Sequence, residues 1–246
     1  MNMVTVFKAL GPIDGRNIRR DSMLRWAVFA PVLIALIFRW LLPWVTEGIE
    51  VNFGFDLRPY YPLIYAYLIL ICPVLYGVVI GFLLLDERDD RTLTALRVTP
   101  MSLNNYTAYR LTVPLLIGII LAPLILWLAH VPGYTVAEIM LVAVTAAPLA
   151  PIYTLFLAAF APNKVQGFAM MKATGIFLIA PLLAWFIEIP WQLLFGIFPT
   201  YWPIKVFWLA GSNEPGILFF AAAGIIYQLI IIYALLRRFN KKMGAG

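Results

Sequence analysis

Residues 60–85, YYPLIYAYLILICPVLYGVVIGFLLL, run for 26 positions without a charge, and residues 86–100, DERDDRTLTALRVTP, then turn abruptly polar. About 20 apolar residues in a helix cross the ~30 Å of a bilayer's hydrocarbon. The first stretch is therefore read as a membrane-spanning helix and the second as the loop on which it lands. Working outward, five more stretches qualify: Trp26–Trp44, Leu111–Ala129, Val136–Phe160, Phe168–Ile189 and Gly216–Leu236. Composition agrees. Apolar residues are 63% of the 246 and charged residues 12%, against roughly 45–50% and about 25% in soluble domains. That balance excludes a soluble globular enzyme and a disordered tail. Cys72 is the only cysteine, so a disulfide scaffold is excluded too. The first apolar run is too long for a signal-peptide core and no small-residue cleavage site follows it, so no cleavable signal is expected.

Charge placement orients the six spans. With the N-terminus inside, fifteen of the eighteen Lys and Arg fall on the cytoplasmic side; Arg39, Arg58 and Lys205 fall outside or in the outer half. The acids divide evenly, so the net charge of +6 resolves into +9 inside and −3 outside. This satisfies the positive-inside rule and places both termini in the cytoplasm. Pro190–Ala210 is apolar enough for a seventh span, but it holds Pro190, Pro199, Pro203 and Lys205, and proline breaks the helical ladder. A seventh crossing would also carry the basic tail outside. The segment is read as short outer-leaflet helices between spans five and six. Prolines interrupt five of the six spans, and Ala147-Pro148-Leu149-Ala150-Pro151 is the place where a span is expected to break.

The loop carries the most chemistry. From Asp86 to Arg110 four acids and four arginines cancel. Acids at the start and Arg97 near the end suit a helix dipole, Leu93 and Leu96 share a face, and Pro100 stops the helix. Three readings compete: a solvated turn, a Mg-diphosphate site built from Asp86, Glu87, Asp89 and Asp90, and a docking helix. Clustered acids can hold Mg²⁺ on a phosphate, which would make the chain a Mg-dependent membrane enzyme acting on a lipid diphosphate. Such a site needs a facing acidic cluster, and none occurs elsewhere in the sequence.

The third reading is carried by a resemblance. The run Asp86-Glu87-Arg88-Asp89-Asp90-Arg91-Thr92-Leu93, then Leu96, Thr99-Pro100 and Tyr109-Arg110, resembles ABC-2 type transporter permeases. In that family an acidic and arginine-rich stretch followed by Thr-Leu, a leucine and Thr-Pro forms the coupling helix between spans two and three. The family's usual glycine before Thr-Leu is Arg91 here. Gly11-Pro12-Ile13-Asp14, Arg19, Arg20-Asp21, Arg39-Trp40-Leu41-Leu42-Pro43 and Gly81–Arg88 look like the fluoroquinolone-export branch, as does the region of Phe198-Pro199 and Trp202-Pro203.

The resemblance implies an all-α polytopic membrane protein similar to type V ABC exporters. Residues 1–246 form one permease domain: a cytoplasmic interfacial arm (1–25), six transmembrane helices and a cytoplasmic tail (237–246). It further implies residence in the cell membrane, a second permease (homodimer or sister chain) and a separate ABC ATP-binding subunit. That subunit would be coupled through Asp86, Glu87, Arg88, Asp89, Asp90, Arg91, Thr92, Leu93, Leu96, Thr99 and Pro100. Alternating access would then move an amphiphilic drug-like or lipid-like substrate outward. The chain itself has no G-x-x-x-x-G-K-[ST] phosphate loop, and its largest cytoplasmic loop is too short to fold a nucleotide-binding domain. ATP and Mg therefore belong to the partner, and no cofactor, metal, catalytic residue or nucleic acid is expected on this chain.

The remaining candidates have bland readings beside sharp ones. The arm, with Lys8, Arg16, Arg19, Arg20 and Arg25 among apolar residues, suits an interfacial helix on anionic lipid, and Pro12 could open a second short helix there. Arg39 at the outer end of span one is a substrate-path candidate or a snorkelling anchor, with Glu138 and Glu188 as possible partners. Tyr65 and Tyr76 offer stacking surfaces or belong to the interfacial belt. Gln228, midway along span six, lines a path or bonds across helices. His130, the only histidine, is a turn residue, and Cys72 is a small core residue.

Overall fold

The computed structural model describes residues 3–20, 22–90, 103–212 and 215–244, and among these the chain is helical with no strand. Six helices or helix pairs are long and apolar enough to cross a membrane. The elements are α1 (Met3–Arg20), α2 (Ser22–Phe53), α3 (Tyr61–Asp89), α4 (Leu103–Leu128), α5 (Val136–Ala146), α6 (Leu149–Phe160), α7 (Lys164–Ala173), α8 (Gly175–Trp185), α9 (Tyr201–Ser212) and α10 (Ile217–Gly244). Spans one, two, three and six are α2, α3, α4 and α10. Span four is α5 with α6, and span five is α7 with α8.

Spans two and four are the centre. Their most apolar windows are 83% and 72% buried, against 17% in spans one and six. Small residues permit this. A Cβ on Gly77 of α3 would overlap the backbone of Ala150 on α6, and one on Gly81 would meet the Leu157 side chain. Thr154 Oγ donates to the Gly77 carbonyl across the same contact at 2.8 Å. Within a bilayer lipid tails are as apolar as leucine, so close backbone approach and interhelical hydrogen bonds do the joining. Tyrosines then tie outer helices to the centre: Tyr76 OH donates to Val28 O of α2 at 2.7 Å, and Tyr67 OH to Leu178 O of α8 at 2.8 Å.

Span four breaks between Ala146 and Leu149, where Pro148 and Pro151 withhold two backbone donors. Its first half starts on a capping box, in which Thr135 accepts from Glu138 N at 3.3 Å and the Glu138 carboxylate accepts from Thr135 N at 2.7 Å. Glu138 is thereby engaged locally, and Arg39, exposed on α2, instead lies 5.8 Å from the Trp40 ring. Between spans five and six the chain forms a 3-10 turn, Trp191–Ile197, and then α9. Trp202 of α9 packs where Gly224 of α10 leaves no side chain, and its Nε1 donates to Gly196 O at 2.9 Å.

Several helices run past their apolar windows, because the backbone ladder continues into water where hydropathy no longer marks it. Span one extends to Phe53 and stops at Gly54, which takes a φ of 66° that a side chain would disfavour. The arm is one helix rather than two: α1 passes through Pro12. The loop helix expected to begin at Asp86 does not begin there, since Asp86 to Asp89 form the last turn of α3.

Gly77→Ala forces α3 and α6 apart at their tightest contact. It is expected to destabilise the fold by about 1–3 kcal/mol, read as a lower apparent melting temperature by tryptophan fluorescence in detergent. Gly175→Ala, which meets nothing within 4 Å, is the matched control and should leave it unchanged.

Candidate functional site at the base of the charged loop

The two helices that flank the loop meet the N-terminal helix in one buried ionic knot. Arg110, near the start of span three, has a side chain only 1% exposed. Its Nη1 pairs with Asp14 Oδ2 of α1 at 2.7 Å, and its Nη2 pairs with Glu87 Oε1 of α3; those carboxylates are 9% and 15% exposed. Arg110 Nε donates to Tyr106 OH at 3.0 Å, Tyr106 OH donates to Glu87 Oε2, and Tyr109 OH donates to Asp14 Oδ2 at 2.8 Å. The planar guanidinium fork reaches two carboxylates on different helices while its Nε engages Tyr106, a fixed three-way geometry that a lysine's point charge does not present. Val6 and Leu10 of α1, Leu84 of α3, Tyr106 and Tyr109 of α4, and Phe239 of α10 form an apolar cluster around it. Phe7 meets the Tyr109 ring edge to face at 4.8 Å. Both terminal helices therefore sit at one end of the bundle.

Asp86 and Asp89 of the acidic run engage the start of span five, and Arg88 engages the end of span four. Asp86 pairs with Lys164 Nζ at 2.9 Å, and Asp89 Oδ2 accepts from Lys164 N at 3.1 Å. Arg88 donates to Ala158 O at 3.2 Å and Ala161 O at 2.5 Å, a cation on the C-terminal carbonyls of α6. Asp86, Glu87 and Asp89 thus each hold a partner within the chain, and the geometry does not support the lipid-diphosphate enzyme. Arg91, Thr92, Leu93, Leu96, Thr99 and Pro100 lie outside the described residues.

Sequence reasoning quoted Asp14 and Tyr109-Arg110 only as parts of a pattern and counted Arg110 as a loop charge. The available signal was the spacing of Tyr106, Tyr109 and Arg110, which puts all three on one helix face at the mouth of an apolar span. The four path candidates are not brought together. Arg39 is on the outside of the bundle, Tyr76 binds the Val28 carbonyl, and Gln228 binds the Thr145 carbonyl at 3.1 Å. Tyr65 alone of the four lines a cavity of about 500 Å³ at the end of the bundle away from the termini, with Tyr134, Trp185, Gln192, Lys205 and Trp208.

The family described as "Fluoroquinolones export permease protein Rv2686c-like" matches residues 14–236. The chain belongs to this family. The Fluoroquinolones export permease proteins Rv2686c and MT2760 of Mycobacterium tuberculosis, from strains H37Rv and CDC 1551, are each 36% identical to it over 241 residues, covering 95% of this chain and 94% of theirs. No solved structure matches the chain. The Rv2686c-like match takes in all three charged members of the knot, Asp14, Glu87 and Arg110, together with the whole loop between them.

Arg110→Ala leaves two carboxylates uncompensated in an apolar cluster and should cost about 3–5 kcal/mol. The measurement is apparent melting temperature together with protease cleavage of α1, which should rise. Combining Asp14→Asn and Glu87→Gln with Arg110→Met removes the buried charges together and should recover most of the loss.

Proposed function

We propose that the chain is the membrane permease subunit of an ATP-driven ABC-2 type exporter, and that the knot is the base of its coupling element. The observation that carries this is Arg110 clamping α1, span two and span three at the root of the 86–110 loop. A separate ATPase docking on that loop would pull on Asp86, Glu87, Arg88, Asp89 and Asp90. Glu87 and Arg88 pass the displacement to span two and span four, the two spans at the centre of the bundle. Arg91, Thr92, Leu93, Leu96, Thr99 and Pro100 complete the docking surface.

The names of the two relatives support a fluoroquinolone-like amphiphile as cargo. The cavity lined by Tyr65 and Trp208, at the end away from the termini, is the exit vestibule. In this reading both termini face the cytoplasm of the cell membrane, a second permease completes the pore, and ATP and Mg reside on the ATPase alone. The chain has no catalytic site of its own.

Affinity purification of the tagged permease from its native membranes should recover an ABC ATP-binding chain with it. Inside-out vesicles holding both should take up norfloxacin only with ATP. Asp86→Asn with Asp89→Asn should lower the recovered ATPase and the uptake together, by more than tenfold. Uptake that persists without any ATPase, or an ATPase that never copurifies, would overturn the proposal.

A further inference from the structure

The middle of the bundle holds a polar contact that the docking site does not explain. Gln228 of α10 is fully buried, and its Nε2 donates to the carbonyl of Thr145 in the last turn of α5, two residues before the break of span four. The last carbonyls of any helix lack partners within it, and here Pro148 and Pro151 remove two further donors from the same neighbourhood. Span six thus supplies from across the bundle a donor to the end of a broken helix. Thr145 Oγ donates back to Leu141 O at 2.8 Å, a bond that bends helices. The other side of the break rests on Gly118, where an added Cβ would stand 3.8–3.9 Å from Ala147 and Pro73, so spans two and three leave room there as well.

The second observation is a cost. The other amide atom, Gln228 Oε1, is buried with no hydrogen-bond partner among the described residues. An unsatisfied buried acceptor destabilises a fold; a methionine of similar volume would remove that acceptor but leave the Thr145 carbonyl without its donor, so the two effects offset. The amide therefore contributes less to stability than to holding the end of α5 in place against span six.

We infer that Gln228 is a positioning residue: it pins α5 to span six, and so sets the angle at which the two halves of span four meet. This rests on the export reading for its purpose, because a span that flexes at mid-membrane is what an alternating permease needs. The geometric claim stands apart from it.

The test uses the full-length chain with Cys72→Ser and nitroxide labels at positions 136 and 160, the two ends of span four. The wild type should give one narrow distance by electron spin resonance in lipid nanodiscs. Gln228→Met should broaden or shift that distribution while the apparent melting temperature stays close to the parent's. In vesicles with the ATPase, norfloxacin uptake should lose maximal rate at least fivefold with KM nearly unchanged. Pro148→Ala, which restores a donor at the break, should narrow the distribution again in the double variant.

An unchanged distance distribution in Gln228→Met overturns the pin, as does a fall in melting temperature that matches the fall in uptake. If the methionine variant does not fold, Gln228→Asn is measured instead; it keeps the amide but draws it back by one methylene, and an unchanged distance distribution there overturns the pin equally. If no variant, the parent included, takes up norfloxacin, the export reading fails while the distance measurement still decides the pin.

Discussion

The contact of Gly77 with Ala150 governs the rest of the structure. Two membrane helices can touch backbone to backbone only where neither carries a side chain of any length, and that happens once span two meets the break in span four. With these two spans joined, the others can only surround them, which is why spans two and four are buried and spans one and six mostly are not. The break itself is tolerable because neighbours satisfy the backbone groups it frees: Gln228 reaches one carbonyl from span six, and Thr154 repays the contact by donating to span two.

A second constraint acts at the terminal end. A buried guanidinium needs full compensation, and Arg110 finds it in Asp14 and Glu87, from helices that are 96 and 23 positions away in the chain. The consequence is mechanical. The amphipathic arm is fastened to the ends of spans two and three, so the arm and the two helices that flank the loop form one body. Arg88 extends that body to the end of span four through the Ala158 and Ala161 carbonyls. These contacts join the helices that flank the loop to the same two spans that form the centre.

Much of this was open to reading in advance. Six spans followed from long, mostly apolar runs, because the bilayer imposes a length that the sequence must meet. The helix break at Ala147-Pro148 followed from two prolines three residues apart. Family membership was legible in the loop pattern. The helix ends were less so: hydropathy reports the membrane and not the helix, and Asp86 to Asp89 stay helical because Lys164 and the α6 carbonyls hold them. Gln228 stood out as a polar residue in an apolar span, yet its partner, a backbone carbonyl 83 positions away, has no signature in side-chain pattern.

By itself the sequence determined the class of protein and the six segments long and apolar enough to cross a membrane, since both depend on local composition against a fixed membrane thickness. Tertiary structure alone decided which spans lie inside, which charges are buried and which acids are already partnered. Those outcomes depend on groups far apart in the chain meeting in space. A lone arginine at the mouth of a span reads as a loop charge until Asp14 and Glu87 are found around it.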